Sequence, residues 1–123
     1  MKGNEIKELS IILKEIRIHN KELLKDMAKK LDFSATFLSA IENGKRKVPK
    51  DFYDKILSNY DLSEEEKLGL EAAISIANKK VDIDLSDKDI SKQNLAISFA
   101  RSFNDMDADM VEMLQEVINT RRD

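Results

Sequence analysis

The chain has 123 residues, of which 41% are hydrophobic and 37% are charged, and it contains no cysteine. This length fits one compact domain, or a small domain with an extension. The lack of cysteine excludes disulfide frameworks and thiolate metal sites. The longest aliphatic run, residues 11–13, is too short for a transmembrane span or a signal peptide, so we expect a cytoplasmic protein with no membrane partner.

Charge is distributed unevenly along the chain, although the total is only −3. Residues 1–61 hold 13 Lys and Arg against 10 Asp and Glu, which is a net charge of +3, whereas residues 62–123 hold 8 against 14, a net charge of −6. Because attraction to phosphate acts locally, the basic half can bind nucleic acid while the other half stays acidic. The alternative is that both halves simply expose solvated charges.

Hydrophobic periodicity predicts five helices in the first 78 residues. Asn4 is the candidate N-cap of the first, and Ser63 with Glu66 forms a capping box for the fifth. The fifth helix is apolar around much of its circumference, so we expect it to be buried on more than one side. The predicted ranges are 4–19, 22–31, 35–43, 50–58 and from Ser63 to about Asn78.

The second and third of these helices are separated by a turn of only a few residues. Ser34 is placed to cap the third helix, and Gly44 to end it in a left-handed conformation. The basic loop Lys45–Lys47 follows. Two short helices joined by a tight turn form the unit that places its second helix in the DNA major groove, so this stretch predicts binding to double-stranded DNA. A helical hairpin with no role in DNA binding is the alternative.

The character of the sequence changes at residues 81–85, where apolar and acidic residues alternate strictly. This period of two is typical of a half-buried strand, and an isolated strand must pair with a second copy or with a partner protein. Val81, Ile83 and Leu85 are therefore the predicted dimerisation residues. The alternative is an extended linker that docks on the fifth helix. Two helices follow, one over 88–103 and one capped by Asp107.

No catalytic or metal site is indicated, and we expect no cofactor and no enzymatic activity. The single histidine, His19, has no cysteine and no second histidine to share a metal. Asp82 and Asp84 alternate with apolar residues, and the glycine and the final glutamate of a calcium-binding loop are missing. Carboxylates are plentiful, but none accompanies a nucleophile or a glycine-rich phosphate loop.

The segment Ser39-Ala-Ile-Glu-Asn-Gly-Lys-Arg46, together with an upstream Arg17, Met27-Ala28 and Ser34, resembles the lambda-repressor-like, or XRE-type, helix-turn-helix regulators. The resemblance covers about residues 5–77. It implies an all-α fold: a five-helix DNA-binding domain over 1–78, followed over 79–123 by a short extended strand and two C-terminal helices for dimerisation or partner binding.

The resemblance also implies roles for individual residues. Arg17 and Glu42 match a pair that often forms a salt bridge between the first and third helices. Leu23 and Leu24 depart from the family, which often has Thr or Ser, and then Gln, at the start of the second helix. The predicted base-facing residues are Ala35, Thr36, Ser39, Ala40 and Asn43, and the predicted phosphate contacts are Lys25, Lys45, Arg46 and Lys47.

These features together predict a sequence-specific transcriptional regulator, acting as a homodimeric repressor of a bacterial or mobile-element promoter. Two-fold symmetry would double the contacts that one small domain makes with DNA. The alternative is an antitoxin-like or adaptor protein whose acidic C-terminal half binds a partner protein, with DNA binding secondary.

Overall fold

The computed structural model describes residues 6–121, which are helical and contain no strand. The prediction of an all-α protein is confirmed. A single 3₁₀ turn, Phe103–Asp105, follows the sixth helix. The α-helices of the described residues are α1 Leu9–His19, α2 Leu24–Lys30, α3 Ala35–Glu42, α4 Phe52–Asn59, α5 Glu64–Asn78, α6 Ile90–Ser102 and α7 Ala108–Arg121.

The chain divides into two compact units, the first ending at Val81 and the second beginning at Asp82. The first unit contains α1–α5, and the second contains α6 and α7. The roles assigned above to residues 1–78 and 79–123 remain predictions.

The first unit is built around a continuous apolar core. α3 packs against α1 and α2, while α5 packs against α1 and α4. Aliphatic side chains at helical spacing supply most of the core, so their burial holds the five helices together. The largest fully buried side chains are Leu13, Met27, Leu31, Leu38, Ile41, Phe52, Ile56 and Leu70.

Two predictions about the ends and faces of helices are wrong. The first helix begins at Leu9, because Glu8 has an extended backbone and acts as its N-cap, so residues 6–8 are not helical. Asn4, the predicted cap, lies outside the described residues. α5 buries only Leu70 and Ala73, which lie about one turn apart on one face, while Leu68 and Ile76 are 57% and 61% exposed.

The predicted strand at residues 81–85 is not present in the described chain. A strand needs a hydrogen-bonded neighbour, and the rest of the described second unit is helical apart from its loops. Val81 and Ile83 are 74% and 60% exposed, and Leu85 is half-buried. The segment ends in a turn in which the Asp84 carboxylate accepts hydrogen bonds from the backbone N–H and the hydroxyl of Ser86, at 2.9 and 2.7 Å.

Candidate nucleic-acid interface

The turn between α2 and α3 is fixed by backbone geometry and by one cap. Asp32 adopts a left-handed conformation, with φ of +62°, and the Phe33 N–H donates to the Ala28 carbonyl at 2.9 Å. The Ser34 hydroxyl accepts from the Phe37 N–H at 3.0 Å, which starts α3 as the sequence predicts. α3 therefore leaves the turn in a defined direction.

The start of α2 lacks a polar cap. Leu23 is the N-cap residue and Leu24 the first helical residue, and neither side chain can accept a hydrogen bond. The Asp26 carboxylate instead accepts from the Leu23 backbone N–H at 2.8 Å. This N–H is therefore already used within the chain. Lys25, a predicted phosphate contact, is exposed in the first turn of α2.

α3 separates a buried face from an exposed one. Leu38 and Ile41 are almost completely buried in the core. On the other side, Asn43 donates to the Ser39 hydroxyl at 3.3 Å, so two polar groups of the predicted base-facing set are joined. All five predicted base-facing residues are at least partly accessible to solvent: Ala35, Thr36 and Asn43 are exposed, and Ser39 and Ala40 are half-buried.

α3 ends at a glycine, and the basic loop begins there. Gly44 has a φ of +75°, the left-handed conformation that glycine adopts at low cost, and its N–H donates to the Ile41 carbonyl at 3.2 Å. The next N–H, that of Lys45, donates to the Ala40 carbonyl at 2.9 Å. Lys45, Arg46 and Lys47 are all exposed, directly beyond the end of α3.

Two contacts anchor the basic loop, one at its middle residue and one at the residue that follows it. The guanidinium of Arg46 lies 5.7 Å from the ring centroid of Phe37, a cation–π contact that holds it beside α3. Val48 is buried, and its N–H and carbonyl both pair with the Asn78 amide, at 2.9 and 3.1 Å. This clamp between Asn78 and Val48 cannot be predicted from the sequence, because nothing near Asn78 signals a partner thirty residues upstream.

Arg17 and Glu42 form an ion pair between α1 and α3, with side chains that are 9% and 6% exposed. The guanidinium makes two contacts with the carboxylate, one from each terminal nitrogen, and a third with the sulfur of Met27 at 3.5 Å. A bidentate pair of this kind fixes geometry as well as charge. The ion pair thus connects the last turn of α3 to α1, and through Met27 to α2, on the buried side of α3.

A second polar cluster joins the start of α2 to the end of α4. The Tyr60 hydroxyl donates to the Glu22 carboxylate at 2.6 Å, and Lys30 forms an ion pair with the same carboxylate. Burial alone would raise the pKa of Glu22, but the hydrogen bonds from Lys30 and Tyr60 outweigh it and lower this pKa below the ordinary value. Burial and the Glu22 charge both raise the pKa of Tyr60.

The predicted dimerisation residues follow α5 in the chain. Val81 is the last residue of the first unit, and Ile83 and Leu85 belong to the second unit. The Leu85 carbonyl accepts from the Gln93 side chain at 3.2 Å.

Within residues 6–121, no group of three or more His, Cys, Asp or Glu side chains could hold a metal ion. No helix of this part of the chain is long and apolar enough to cross a membrane.

The model of a protein family described as a helix-turn-helix domain matches residues 11–74, more than half of the chain. The chain belongs to this helix-turn-helix family. Comparison with curated proteins and with solved structures gave no match. The matched residues of this helix-turn-helix protein run from α1 into α5 and include the whole of α2, the turn and α3. The narrower resemblance to lambda-repressor-like regulators stays a prediction.

Proposed function

We propose that this helix-turn-helix protein is a sequence-specific, DNA-binding transcriptional regulator that places α3 in the major groove. The observation that carries the proposal is the exposed face of α3, which runs directly into an anchored loop of three exposed basic residues. A helix supplies the shape that enters the groove, and the loop supplies the positive charge that meets the adjacent phosphates.

The chemistry of α3 allows only limited reading of bases. Thr36 and Ser39 each offer one hydroxyl, while Ala35 and Ala40 can contact a thymine methyl group or leave room for close approach. The Ser39 hydroxyl is engaged by Asn43, so these two residues would contact DNA as a unit. Because no arginine or glutamine lies on this helix, sequence-dependent DNA shape would add to direct readout.

Phosphate contacts would supply most of the affinity. Lys45, Arg46 and Lys47 are the proposed anchors after α3, and Lys25 is the proposed contact from α2. The Asn78 clamp limits the movement of the loop, so less freedom is lost when its side chains bind.

A homodimeric repressor in the cytoplasm, without catalytic activity or cofactor, is the form of the proposal that fits these features best. One such domain offers few base contacts, and two copies on half-sites about one helical turn apart would double them. Dimer contacts would come from residues beyond 80, including Val81, Ile83 and Leu85. A reporter gene behind the protein's own upstream region tests the sign of regulation: expression should fall when the protein is supplied.

Fluorescence anisotropy tests the binding itself. The full-length protein is titrated onto DNA from its own upstream region and onto scrambled DNA of equal length, at roughly 50 and 200 mM salt. We expect tighter binding to the upstream DNA and weaker binding to both at the higher salt. Replacing Thr36 with Val should reduce the preference between the two DNAs while the salt dependence stays unchanged. Equal affinity for both DNAs in the unaltered protein would contradict sequence-specific regulation.

A second candidate function is an adaptor or antitoxin-like role, favoured by the exposed apolar side chains of the second unit. In that case the second unit would bind a different protein, and DNA binding would be autoregulatory. The purified chain would then remain monomeric at high concentration.

A further inference from the structure

Three aromatic side chains form a row that leads from the core of the first unit to the basic loop. Phe52, the first residue of α4, is completely buried, and the ring of Phe33 lies nearly parallel to it, with centroids 6.2 Å apart. Phe33 in turn meets Phe37 edge-on, with centroids 5.0 Å apart. We call Phe52, Phe33 and Phe37 the aromatic row. The Arg46 guanidinium lies at its outer end, 5.7 Å from the Phe37 ring centroid.

The ring of Phe37 is held at the border of the exposed face of α3. Its backbone N–H donates to the Ser34 hydroxyl, and its side chain is half-buried against the core. At 100° per residue, Phe37 lies about 40° around the helix from the buried Ile41 and about 60° from Ala40, one of the predicted base-facing residues. A guanidinium on this ring is therefore beside the surface that α3 would present to the major groove.

The charge of Arg46 remains available to an anion. The side chain is exposed, and within residues 6–121 it forms no ion pair with a carboxylate. An aromatic face attracts the positive charge of a guanidinium without using up its N–H donors. Because a long side chain loses rotamer freedom when it binds, a contact that already restricts it reduces this loss. The ring therefore prepares Arg46 for a phosphate and does not neutralise it.

A second cation on the aromatic row has a structural role instead. The Lys55 ammonium lies 4.4 Å from the Phe33 ring centroid, but it also donates to the Leu31 carbonyl at 3.0 Å. Lys55 thus satisfies a carbonyl at the C-terminal end of α2 and connects it to α4. No such hydrogen bond holds the Arg46 guanidinium within residues 6–121, so the Phe37 ring positions a charge that can still bind a phosphate.

We propose that Phe37 is a positioning residue for DNA binding, whose ring holds the Arg46 guanidinium beside α3 for contact with a phosphate at the edge of the major groove. Phe37 acts through Arg46 and needs no contact with DNA of its own. The inference deepens the proposed function, on which it rests, by adding a residue outside the predicted base-facing and phosphate-contacting sets.

Scrambled DNA is the main probe, because phosphate contacts do not depend on base sequence. Anisotropy titrations of the full chain at several salt concentrations measure the affinity. Arg46→Gln should weaken binding and lower the slope of log affinity against log salt by about 0.9, the value for one phosphate contact. The loss should be of equal size on upstream DNA. A loss confined to upstream DNA would show that Arg46 reads bases, and an unchanged salt slope would show that it binds no phosphate; either result would overturn the proposal.

A double-mutant cycle separates positioning from a general effect on the fold. Phe37→Leu keeps an apolar side chain against the core but removes the aromatic face, and it should weaken binding by roughly threefold, the size of an exposed cation–π contact. In the Arg46→Gln chain, the same change should have less than about a 1.5-fold effect, because the guanidinium is already absent.

Lys47→Gln is the matched control for this cycle, because it neutralises the next residue of the same loop. In the Lys47→Gln chain, Phe37→Leu should still weaken binding by roughly threefold. An equal effect of Phe37→Leu in the Arg46→Gln and Lys47→Gln chains would overturn the proposal, since the ring would then act on the fold and not through Arg46.

Two further measurements report on the ring contact itself. Phe37→Tyr retains the aromatic face and should bind within about 1.5-fold of the unaltered chain. Without DNA, the ring current of Phe37 should shift the NMR resonances of the Arg46 Hδ protons upfield, and this shift should disappear in Phe37→Leu. A Phe37→Tyr chain that binds as weakly as Phe37→Leu, or Arg46 resonances that do not change when the ring is removed, would contradict the proposed role.

Failure of this inference is distinguishable from failure of the proposed function. Equal affinity of the unaltered chain for upstream and scrambled DNA contradicts sequence-specific regulation, while the cycle still measures the role of Phe37. If the unaltered chain binds neither DNA at roughly 50 mM salt, both proposals are wrong. If it binds DNA and the effects of Phe37→Leu and Arg46→Gln simply add, only the role of Phe37 is wrong.

Discussion

The two units of this protein are helical for the same local reasons, but they differ in what stabilises their helices. In the first unit, the helices converge on a shared core and on the buried pair of Arg17 and Glu42. In the second, Asp89 and Asp107 cap α6 and α7, yet no described side chain is buried. Caps and hydrophobic periodicity thus specify the helices of both units. Of the described residues, only those of the first unit also form a buried core that holds its helices together. Most large apolar side chains of the second unit are exposed.

Breaking the buried ion pair should be among the largest effects on stability. Glu42→Gln leaves the Arg17 guanidinium buried without a counter-charge, so the free energy of unfolding should fall by about 3 kcal/mol. Urea denaturation measures this loss. Glu15→Gln removes the carboxylate of an exposed ion pair with Lys7 and should cost less than about 0.5 kcal/mol. Similar losses in the two variants would show that burial is not what makes the Arg17 pair important.

The same truncation in each unit compares the two kinds of packing. Leu38→Ala opens a cavity in the first core and should lower the free energy of unfolding by about 3 kcal/mol at any protein concentration. Leu95→Ala, in α6, removes a side chain that is 69% exposed and should cost less than about 1 kcal/mol. Urea denaturation compares the two losses, and equal losses would show that burial does not distinguish the two side chains.

The Asn78 clamp connects stability to binding within the first unit. Asn78→Ala removes both hydrogen bonds to Val48 and should lower the free energy of unfolding by about 2 kcal/mol. Because the basic loop would then move more freely, DNA affinity should fall by roughly fivefold. Asn59→Ala, which removes an exposed amide hydrogen-bonded to Lys55 within α4, is the matched control and should leave affinity unchanged. Unchanged affinity in Asn78→Ala would show that the clamp is only structural.

The smallest effect is expected from pH. The lowered pKa of Glu22 means that its ion pair and hydrogen bond stabilise the folded state above the ordinary glutamate pKa of 4.5, and that this contribution is lost as pH falls through the lower, folded value. Glu22→Gln should therefore unfold at a lower temperature than the unaltered protein at pH 7, and the difference should shrink as the pH falls below 4.5. A constant difference across this range would mean that the Glu22 charge contributes nothing.

Local signals in the sequence predicted much of the fold. Ser34, Gly44 and the Ser63–Glu66 capping box occupy the positions that their chemistry favours, and α5 ends at Asn78 as predicted. These features depend on residues within one or two helical turns, which a single sequence displays. The Arg17–Glu42 pair, implied by the family resemblance, is present in the structure.

Features that depend on distant residues could not be predicted. The contact between Asn78 and Val48 and the hydrogen bond from Tyr60 to Glu22 join segments with no shared pattern. The 81–85 segment was predicted to be a strand from its alternation alone, but alternation does not supply a hydrogen-bonded neighbour. The exposure of much of α5 cannot be predicted from its sequence, because the composition of a helix does not show how many of its faces are covered.

Charge reversal in each unit tests the central claim, that the first unit binds DNA through α3 and the loop that follows it. One variant replaces Lys45, Arg46 and Lys47 with Glu. Its control replaces three basic residues of the second unit, Lys88, Lys92 and Arg101, with Glu and so changes the net charge by the same amount. In anisotropy titrations on upstream DNA, the first variant should lose at least 100-fold in affinity and the control less than threefold. Equal losses, or full affinity in the first variant, would contradict the account.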